Sequence, residues 1–185
     1  MLSLRDNPPA PLLERFRRLC AEPSDINEHL GILWGLARQC DNVMEFGVRS
    51  GVSLTALLAA QPSRLTCVDT EWCPVVHELE AMCGRTELFF FQGDSRSVSI
   101  VGVDLLHIDT IHAYSCLSVE LRMHSPYVHK WIALHDTAIF GQRGDDGGEG
   151  MQKAIDELVV GGKWRTWAAW PHSYGMTVLQ RIAPG

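Results

Sequence analysis

Residues 42–60 read NVMEFGVRSGVSLTALLAA, and this stretch decides the fold. An apolar strand runs through Glu45 into a glycine turn, and a helix follows directly. The first glycine, Gly47, lets the backbone turn sharply next to a ligand. The N-terminus of the following helix presents unpaired N–H groups to the polar end of that ligand. The stretch therefore predicts a site for a nucleotide-type cofactor.

The spacing of the glycines excludes two common phosphate-binding motifs. The dinucleotide fingerprint G-x-G-x-x-G, started at Gly47, would need glycines where the chain has Arg49 and Val52. The phosphate loop G-x-x-x-x-G-K-[ST] fails in its spacing and lacks the lysine. The motif that is present is E-x-G-x-x-x-G with two nearby hydroxyls, formed by Glu45, Gly47, Ser50, Gly51 and Ser53.

Two further pieces follow this motif along the chain. The strand RLTCVD ends in Asp69, where a carboxylate is placed to accept both hydroxyls of a ribose. The segment FFFQGDS then contributes Asp94 and Ser95. In this order the three pieces resemble the class I S-adenosylmethionine (SAM) methyltransferases. The resemblance implies SAM as cofactor, bound by Glu45, Gly47, Ser50, Gly51, Ser53, Asp69, Asp94, Ser95 and Asp109.

The rest of the chain alternates between strand-like and helix-like segments. Alternation of this kind predicts an α/β fold, a mostly parallel sheet with helices on both faces. No helix separates the last two strands, so they are expected to form an antiparallel hairpin. The resemblance implies a seven-stranded, Rossmann-like methyltransferase sheet. Strands are predicted at 42–46, 64–69, 86–92, 104–109, 130–136 and near 163–169 and 174–182, and helices at 52–60, 74–83, 114–124 and 150–160.

A chain of 185 residues is large enough for one well-formed core and short for two. We therefore expect a single domain over 1–185, with an N-terminal helical segment at 1–41 and a Rossmann-like core at 42–182. In the first segment, Ser24 or Asp25 is predicted to cap the second of two helices.

Composition excludes several classes of function. The net charge is −6 and the short basic cluster at 15–18 is followed by acids, which argues against a nucleic-acid partner. The apolar runs are far shorter than the roughly 20 residues of a membrane span, and the N-terminus lacks the apolar centre of a signal peptide. Six cysteines show no framework spacing and predict free thiols. We expect a soluble cytoplasmic protein; whether it forms a homo-oligomer is open.

A second group of residues lies where strands four and five end. Strand four ends in Asp109, His112 follows it, and strand five ends in the pair His135 and Asp136. Because the carboxyl ends of parallel strands meet at one edge of the sheet, these side chains are expected near the acids at 45, 69 and 94.

The stretches DLLHIDTIHAYSCLSVEL and KWIALHDTAIF resemble the metal-dependent small-molecule O-methyltransferases of the macrocin and cephalosporin-biosynthesis types. The resemblance implies methyl transfer to a hydroxyl of a small molecule, such as a sugar or a glycosylated metabolite. His112 and Asp109 are the expected catalytic residues, with His112 as general base. The expected metal ligands are Asp109, His135 and Asp136, holding Mg²⁺ or Mn²⁺.

His135 departs from the resemblance, since a carboxylate is expected at that position. Imidazole is a poorer partner for Mg²⁺ than for softer ions. His135 is therefore either a ligand to a softer ion or a hydrogen-bond partner of a neighbouring loop. Two other functions stay open at this point, a metal-independent small-molecule methyltransferase and a SAM-binding subunit without activity of its own.

The glycine-rich stretch 141–150 enters a helix directly after strand five. Its five glycines predict a mobile segment, which suits a lid over the acceptor. A flexible connection is the competing interpretation. Asp145 and Asp146 in this stretch could reach a polar acceptor or a cation.

Overall fold

The computed structural model describes residues 7–182, so the two ends of the predicted 1–185 domain lie outside the described residues. The helices are α1 (Ala10–Ala21), α2 (Leu30–Ala37), α3 (Val52–Ala59), α4 (Pro74–Glu80), α5 (Tyr114–His124) and α6 (Met151–Val160). The strands are β1 (Asn42–Phe46), β2 (Arg64–Asp69), β3 (Glu87–Gln92), β4 (Val103–Ile108), β5 (Val128–His135), β6 (Trp164–Trp170) and β7 (Met176–Arg181). Single 3₁₀ turns lie at Asn27–His29 and Ser125–Tyr127.

The seven strands form one sheet in the order β3-β2-β1-β4-β5-β7-β6. Strands β1 to β5 pair in parallel, and β7 runs antiparallel to both β5 and β6. The predicted mostly parallel seven-stranded sheet with an antiparallel C-terminal hairpin is therefore confirmed. The strand order reverses between β1 and β4, and a ligand crevice is expected at such a switch point.

Helices cover both faces of the sheet, as the alternation of strands and helices predicts. Strand residues alternate between the two faces, so Val43 and Leu105 belong to one core cluster and Met44 and Leu106 to the other. The first cluster packs against α1, α2, α3 and α4, and the second against α5 and α6. Burial on both faces explains why the central strands are mostly apolar, with the buried Glu45 on β1 and His107 on β4 as exceptions.

The second N-terminal helix starts later than its sequence predicts. The Ser24 hydroxyl accepts a bond from the backbone N–H of Ile26, and a 3₁₀ turn at Asn27–His29 comes before α2. A side-chain cap at Ser24 or Asp25 is therefore wrong for α2, because the 3₁₀ turn separates these residues from the helix.

Several other boundaries differ by one to three residues; for example, β4 ends at Ile108, so Asp109 directly follows it. Helix α4 ends at Glu80, because the chain beyond it tightens into bonds such as Met82 N to Leu79 O. Strand β5 ends at His135, so Asp136 is the first residue after the strand.

Two predictions from composition can be compared with the structure. All six cysteines are free thiols, and four of them are buried. Among residues 7–182, no helix combines the length and the apolar character that crossing a membrane would require.

Candidate active site

A cleft opens beyond the carboxyl ends of the central strands, at the switch point between β1 and β4. Five of the residues predicted to bind the cofactor line it, namely Gly47, Asp69, Asp94, Ser95 and Asp109. The other lining residues were not predicted from the sequence; they are Arg49, Val68, Thr70, Gly93, Arg96, Thr110, Ile111 and Cys116. Most of these residues stand next to a predicted residue in the sequence, and this adjacency could have identified them.

Gly47 has a φ of +86°, a conformation that L side chains rarely adopt. A Cβ atom at this position would overlap the backbone carbonyl of Asp109. The close approach is fixed by two backbone bonds, Gly47 N to Val68 O at 2.9 Å and Asp109 N to Phe46 O at 2.9 Å. Glycine is thus required at position 47 for two reasons: the ends of β1 and β4 approach each other closely there, and the turn beside the cleft has a positive φ.

Asp69 anchors the glycine turn. Its Oδ2 atom accepts bonds from the backbone N–H groups of Val48 at 2.8 Å and Arg49 at 3.1 Å. Burial alone would raise the pKa of Asp69, but these donors and the N–H of Glu71 lower it below its usual value. The carboxylate is therefore ionised. Oδ2 already accepts two bonds, while Oδ1 accepts one from the N–H of Glu71 and keeps a further lone pair for a ligand hydroxyl.

We expect Asp69→Ala to weaken binding of SAM and of S-adenosylhomocysteine by about 1.5–3 kcal/mol, the range for hydrogen bonds to a charged group. The variant would lose the expected contacts with the ribose together with the anchor of the turn at 48–49. Isothermal titration calorimetry measures the affinity. Glu71→Ala is the matched control, because the Glu71 side chain is exposed and its backbone N–H remains. Unchanged affinity in Asp69→Ala would remove Asp69 from the site.

Four predicted cofactor residues do not line the cleft: Glu45, Ser50, Gly51 and Ser53. Glu45 is fully buried, because the alternation along β1 points it into the core beside its cross-strand partner His107. Burial raises the pKa of Glu45 well above its usual value, although the hydrogen bond with Ser53 opposes this shift. Gly51 packs against the Val75 side chain, with no room for a Cβ atom. This geometry therefore does not favour direct contact between these four residues and the cofactor.

Asp94 and Ser95 lie in the cleft but are already engaged with protein groups. The Arg96 guanidinium donates to both carboxylate oxygens of Asp94, at 3.0 Å from Nε and 2.7 Å from Nη2, and lowers the pKa of Asp94. The Ser95 hydroxyl donates to the buried Glu120 at 2.6 Å, and Thr110 donates to the same oxygen at 2.8 Å. Glu120 thus ties together the segments that follow β3 and β4.

A cluster of two carboxylates and one imidazole adjoins the cleft. Candidate ligand atoms of Asp109, His112 and Asp136 all lie within 4.8 Å of one another. His112 Nε2 donates to Asp109 Oδ1 at 3.1 Å and lies 2.9 Å from Asp136 Oδ2. The metal set predicted from sequence, Asp109, His135 and Asp136, differs from this group in one member and stays a prediction. In the sequence, the D-x-x-H spacing of Asp109 and His112 is the pattern that indicates this pair.

The charges in this cluster determine the protonation of His112. Burial lowers the pKa of His112, but the carboxylates of Asp109 and Asp136 outweigh it and raise the pKa to about 9. Burial acts to raise the pKa of Asp109. The hydrogen bond from His112 and the nearby His135 ring outweigh this effect and hold the pKa of Asp109 well below its usual range. In the absence of a cation, the imidazole is therefore protonated at neutral pH and cannot accept a proton.

His135 ties two peripheral segments to the cluster. Its Nε2 atom lies 3.2 Å from the carbonyl oxygen of Asp25 and 3.3 Å from that of Ser173, so it carries the proton and donates to them. Its buried Nδ1 atom makes no hydrogen bond, although it lies 3.2 Å from Asp136 Oδ1 and 3.6 Å from Asp109 Oδ1. The hydrogen bond to a neighbouring loop, one of the two roles left open by the sequence, is present through Nε2, and the ligand role stays a prediction.

The backbone of Asp136 is held in an uncommon conformation. Its φ is +61°, a left-handed value that few residues other than glycine adopt. Its carbonyl accepts from Phe140 N at 3.0 Å, and Thr137 N, which follows it, donates to Gly175 O at 3.3 Å. Strained backbone of this kind is concentrated at functional sites, where the surrounding structure maintains it.

The stretch 141–150 forms a turn with its own hydrogen bonds. Gly144 N donates to Gly148 O at 3.0 Å, and Gly150 N donates to Gln142 O at 3.2 Å. A Cβ atom on Gly150 would overlap the carbonyl oxygens of Gly141 and Phe140. At position 150, glycine is therefore explained by the close approach of two backbone segments, which is a reason other than the predicted mobility. Ordering on ligand binding stays a prediction.

Comparisons with known proteins agree with this architecture. No protein-family model and no curated protein sequence matches the chain. A protein assigned as a caffeoyl-CoA O-methyltransferase from Staphylococcus aureus matches with a TM-score of 0.68 at 13% identity, over 93% of this chain and 91% of that one. The N-methyltransferase NodS from Bradyrhizobium japonicum, in complex with S-adenosylhomocysteine, matches with a TM-score of 0.65 at 12% identity, over 96% and 100%.

A third solved structure, the S-adenosylhomocysteine-bound methyltransferase PaMTH1 from Podospora anserina, matches with a TM-score of 0.57 at 13% identity, over 95% of this chain and 89% of that one. The strand order and these matches together define the class: the chain has the fold of the class I SAM-dependent methyltransferases. At such low identity the likeness concerns the fold, while the acceptor atoms of the matched proteins include both oxygen and nitrogen.

Proposed function

We propose that this protein is a SAM-dependent O-methyltransferase that transfers a methyl group to a hydroxyl of a small molecule. The observation that carries the proposal is the double position of Asp109. This residue lines the cofactor cleft and also belongs to the cluster with His112 and Asp136. The methyl donor and the groups that activate a nucleophile would therefore meet at one side chain.

The chemistry of the reaction explains what such a cluster contributes. The sulfonium of SAM is an activated donor, so the protein has mainly to align donor and acceptor. A hydroxyl is a poor nucleophile while it is protonated, so the site has to take or share that proton. A hydroxyl near Asp109 and His112 has carboxylate and imidazole groups within reach.

The residues of the cluster fit a divalent cation. Asp109 and Asp136 supply hard oxygen atoms and His112 supplies one nitrogen, a donor set suited to Mn²⁺ and acceptable to Mg²⁺. Asp136 Oδ1 and His135 Nδ1 are both buried without a hydrogen-bond partner, as expected of atoms that a cation would satisfy. When bound, such an ion lowers the pKa of a coordinated hydroxyl.

The protonation of His112 argues against the metal-independent alternative. With a pKa of about 9, His112 holds its proton as long as it faces two uncompensated carboxylates. A cation on Asp109 and Asp136 would offset these negative charges and lower the pKa of His112. The metal and the general-base role are therefore coupled in this proposal: a cation held by Asp109 and Asp136 leaves Nε2 of His112 free to accept a proton, whereas an imidazole that binds the cation through Nε2 is a ligand and not the base.

The resemblance to macrocin-type enzymes supports a sugar or a glycosylated metabolite as the acceptor. Tyr174 and Ile139 have exposed side chains and lie on segments that adjoin Asp136, so they would give an acceptor bound there an apolar surface. Their backbones are joined by the bond from Ile139 N to Tyr174 O at 3.2 Å. A homo-oligomeric assembly stays a prediction.

The test is methyl transfer from radiolabelled SAM to a panel of sugars, glycosides and phenols, in the presence of Mn²⁺ or Mg²⁺. We expect turnover of at least one hydroxylated compound and none of its analogue in which that hydroxyl is already methylated. Binding of SAM without turnover across the panel would favour a SAM-binding subunit. Transfer to amines alone would contradict oxygen as the acceptor atom.

A further inference from the structure

We propose that Asp145 is a positioning residue, which holds the His112 ring so that Nε2 faces Asp109 and Asp136. The inference rests on the proposed function, because it concerns the same cluster. It assigns a specific task to the glycine-rich turn at 141–150, which packs beside the start of α5.

Asp145 and His112 are joined in both directions. Asp145 N donates to His112 O at 3.2 Å, and His112 N donates to Asp145 Oδ2 at 3.2 Å. The turn and the segment between β4 and α5 therefore hold each other at this one point. A movement of Asp145 would displace the backbone that carries the imidazole.

Two neighbours hold the ring of His112, one against its face and one at its edge. Phe140 stacks on its face, with ring centroids 5.0 Å apart and planes 8° apart. Asp145 Oδ2 lies 3.7 Å from Nδ1, which is too long for a hydrogen bond but close enough for a favourable electrostatic interaction with an N–H at that atom. A proton kept on Nδ1 leaves Nε2, on the opposite side of the ring, as the atom that faces the two carboxylates.

Other contacts keep the turn in place without touching His112. Asp146 accepts from Gly148 N at 2.8 Å and from the Ser115 hydroxyl at 3.2 Å. A Cβ atom on Gly144 would come within 3.0 Å of Ala113, so the turn lies directly against the residue that precedes α5. The turn is thus anchored through Asp146, and Asp145 is left to contact His112.

This arrangement is similar to the way proteins support metal-binding histidines, with the carboxylate 3.7 Å from Nδ1 and bonded to the backbone N–H of the same histidine. A carboxylate on the second ring nitrogen orients the imidazole and fixes its tautomer, and losing it weakens metal binding by about 10–100-fold. Asp145→Asn is the informative variant, because asparagine keeps an oxygen for the backbone N–H of His112 and removes the charge. Asp146→Asn is the matched control, with the same change at the neighbouring position of the same turn.

The experiment measures Mn²⁺ affinity by electron paramagnetic resonance of the free ion, with S-adenosylhomocysteine affinity by calorimetry as a check of the fold. We expect Asp145→Asn to weaken Mn²⁺ binding by about tenfold or more. Asp146→Asn should bind Mn²⁺ as the unmodified protein does, and both variants should keep their affinity for S-adenosylhomocysteine. Equal Mn²⁺ affinity in all three proteins, or an equal loss in both variants, would overturn the role of Asp145.

A second measurement separates this inference from the metal itself. If the unmodified protein binds no Mn²⁺, the metal part of the proposed function fails, while the position of the ring can still be examined. Nuclear Overhauser contacts between the His112 and Phe140 rings should weaken in Asp145→Asn and persist in Asp146→Asn. Contacts that persist equally in both variants would overturn the positioning role.

Discussion

Replacing His112 by alanine is expected to lower the rate of methyl transfer by about 10²–10⁴-fold, the usual contribution of general acid–base catalysis. The imidazole is the group in the Asp109–His112–Asp136 cluster that can take a proton from an acceptor hydroxyl near neutral pH. The substitution removes it without touching the cleft, since His112 does not line it. Affinity for S-adenosylhomocysteine should therefore stay unchanged. Single-turnover kinetics and calorimetry give the two quantities separately.

His77→Ala is the matched control for this variant. His77 is an exposed histidine on α4, and its partner is Glu80 at 3.3 Å, outside the cluster. We expect its rate to equal that of the unmodified protein. A full rate in His112→Ala would exclude His112 as the base, and a parallel loss of cofactor affinity would indicate a general disturbance of the site.

Exhaustive chelation is expected to abolish turnover, and Mn²⁺ or Mg²⁺ should restore it. The reason is the charge balance of the cluster, where two carboxylates hold His112 in its protonated form until a cation offsets them. Asp136→Asn removes one of these carboxylates and a hard oxygen donor, and we expect it to raise the metal concentration needed for half-maximal activity by about tenfold or more. Activity is titrated against free metal, with the residual metal content checked by elemental analysis.

Asp156→Asn serves as the control for the loss of one negative charge. Asp156 lies on α6, is exposed and accepts a bond from Gln152 at 2.8 Å. Its metal requirement should equal that of the unmodified protein. Full turnover in demonstrably metal-free protein would refute the metal part of the proposal and would require a different account of how His112 loses its proton.

The fold could be predicted because its signals are local. The glycine turn at Gly47, the strand ending in Asp69 and the alternation of segments all depend on neighbours in sequence, and the order of the pieces specified the class. The start of α2 was less predictable. A 3₁₀ turn there depends on how Asn27 and His29 pack, and tertiary contacts of that kind leave no periodic signal.

The site could be predicted as a set of residues but only partly as a set of roles. Asp109, His112, His135 and Asp136 are brought together because parallel strands end at one edge. Which imidazole faces the carboxylates depends on side-chain directions and on loops that approach from distant parts of the chain. His135 is drawn toward Asp25 and Ser173, 110 and 38 residues away, and nothing near position 135 in the sequence indicates it.

Glu45 illustrates a different limit. In the sequence it stands two residues before Gly47, and the motif alone places it among the cofactor residues. Its side chain lies instead on the sheet face covered by α1 to α4, beside His107. A strand positions alternate residues on opposite faces, so closeness in sequence to a cleft does not imply access to it.

The bonds that His135 makes with the carbonyl oxygens of Asp25 and Ser173 affect how this site can change in evolution. Every residue type carries a backbone carbonyl, so substitutions at 25 and 173 leave these two acceptors in place. The segments that border the cluster can therefore exchange their side chains while staying attached to the same histidine. If the proposed function holds, such exchanges can change the surroundings of the cluster without rebuilding the groups to which we assign the chemistry.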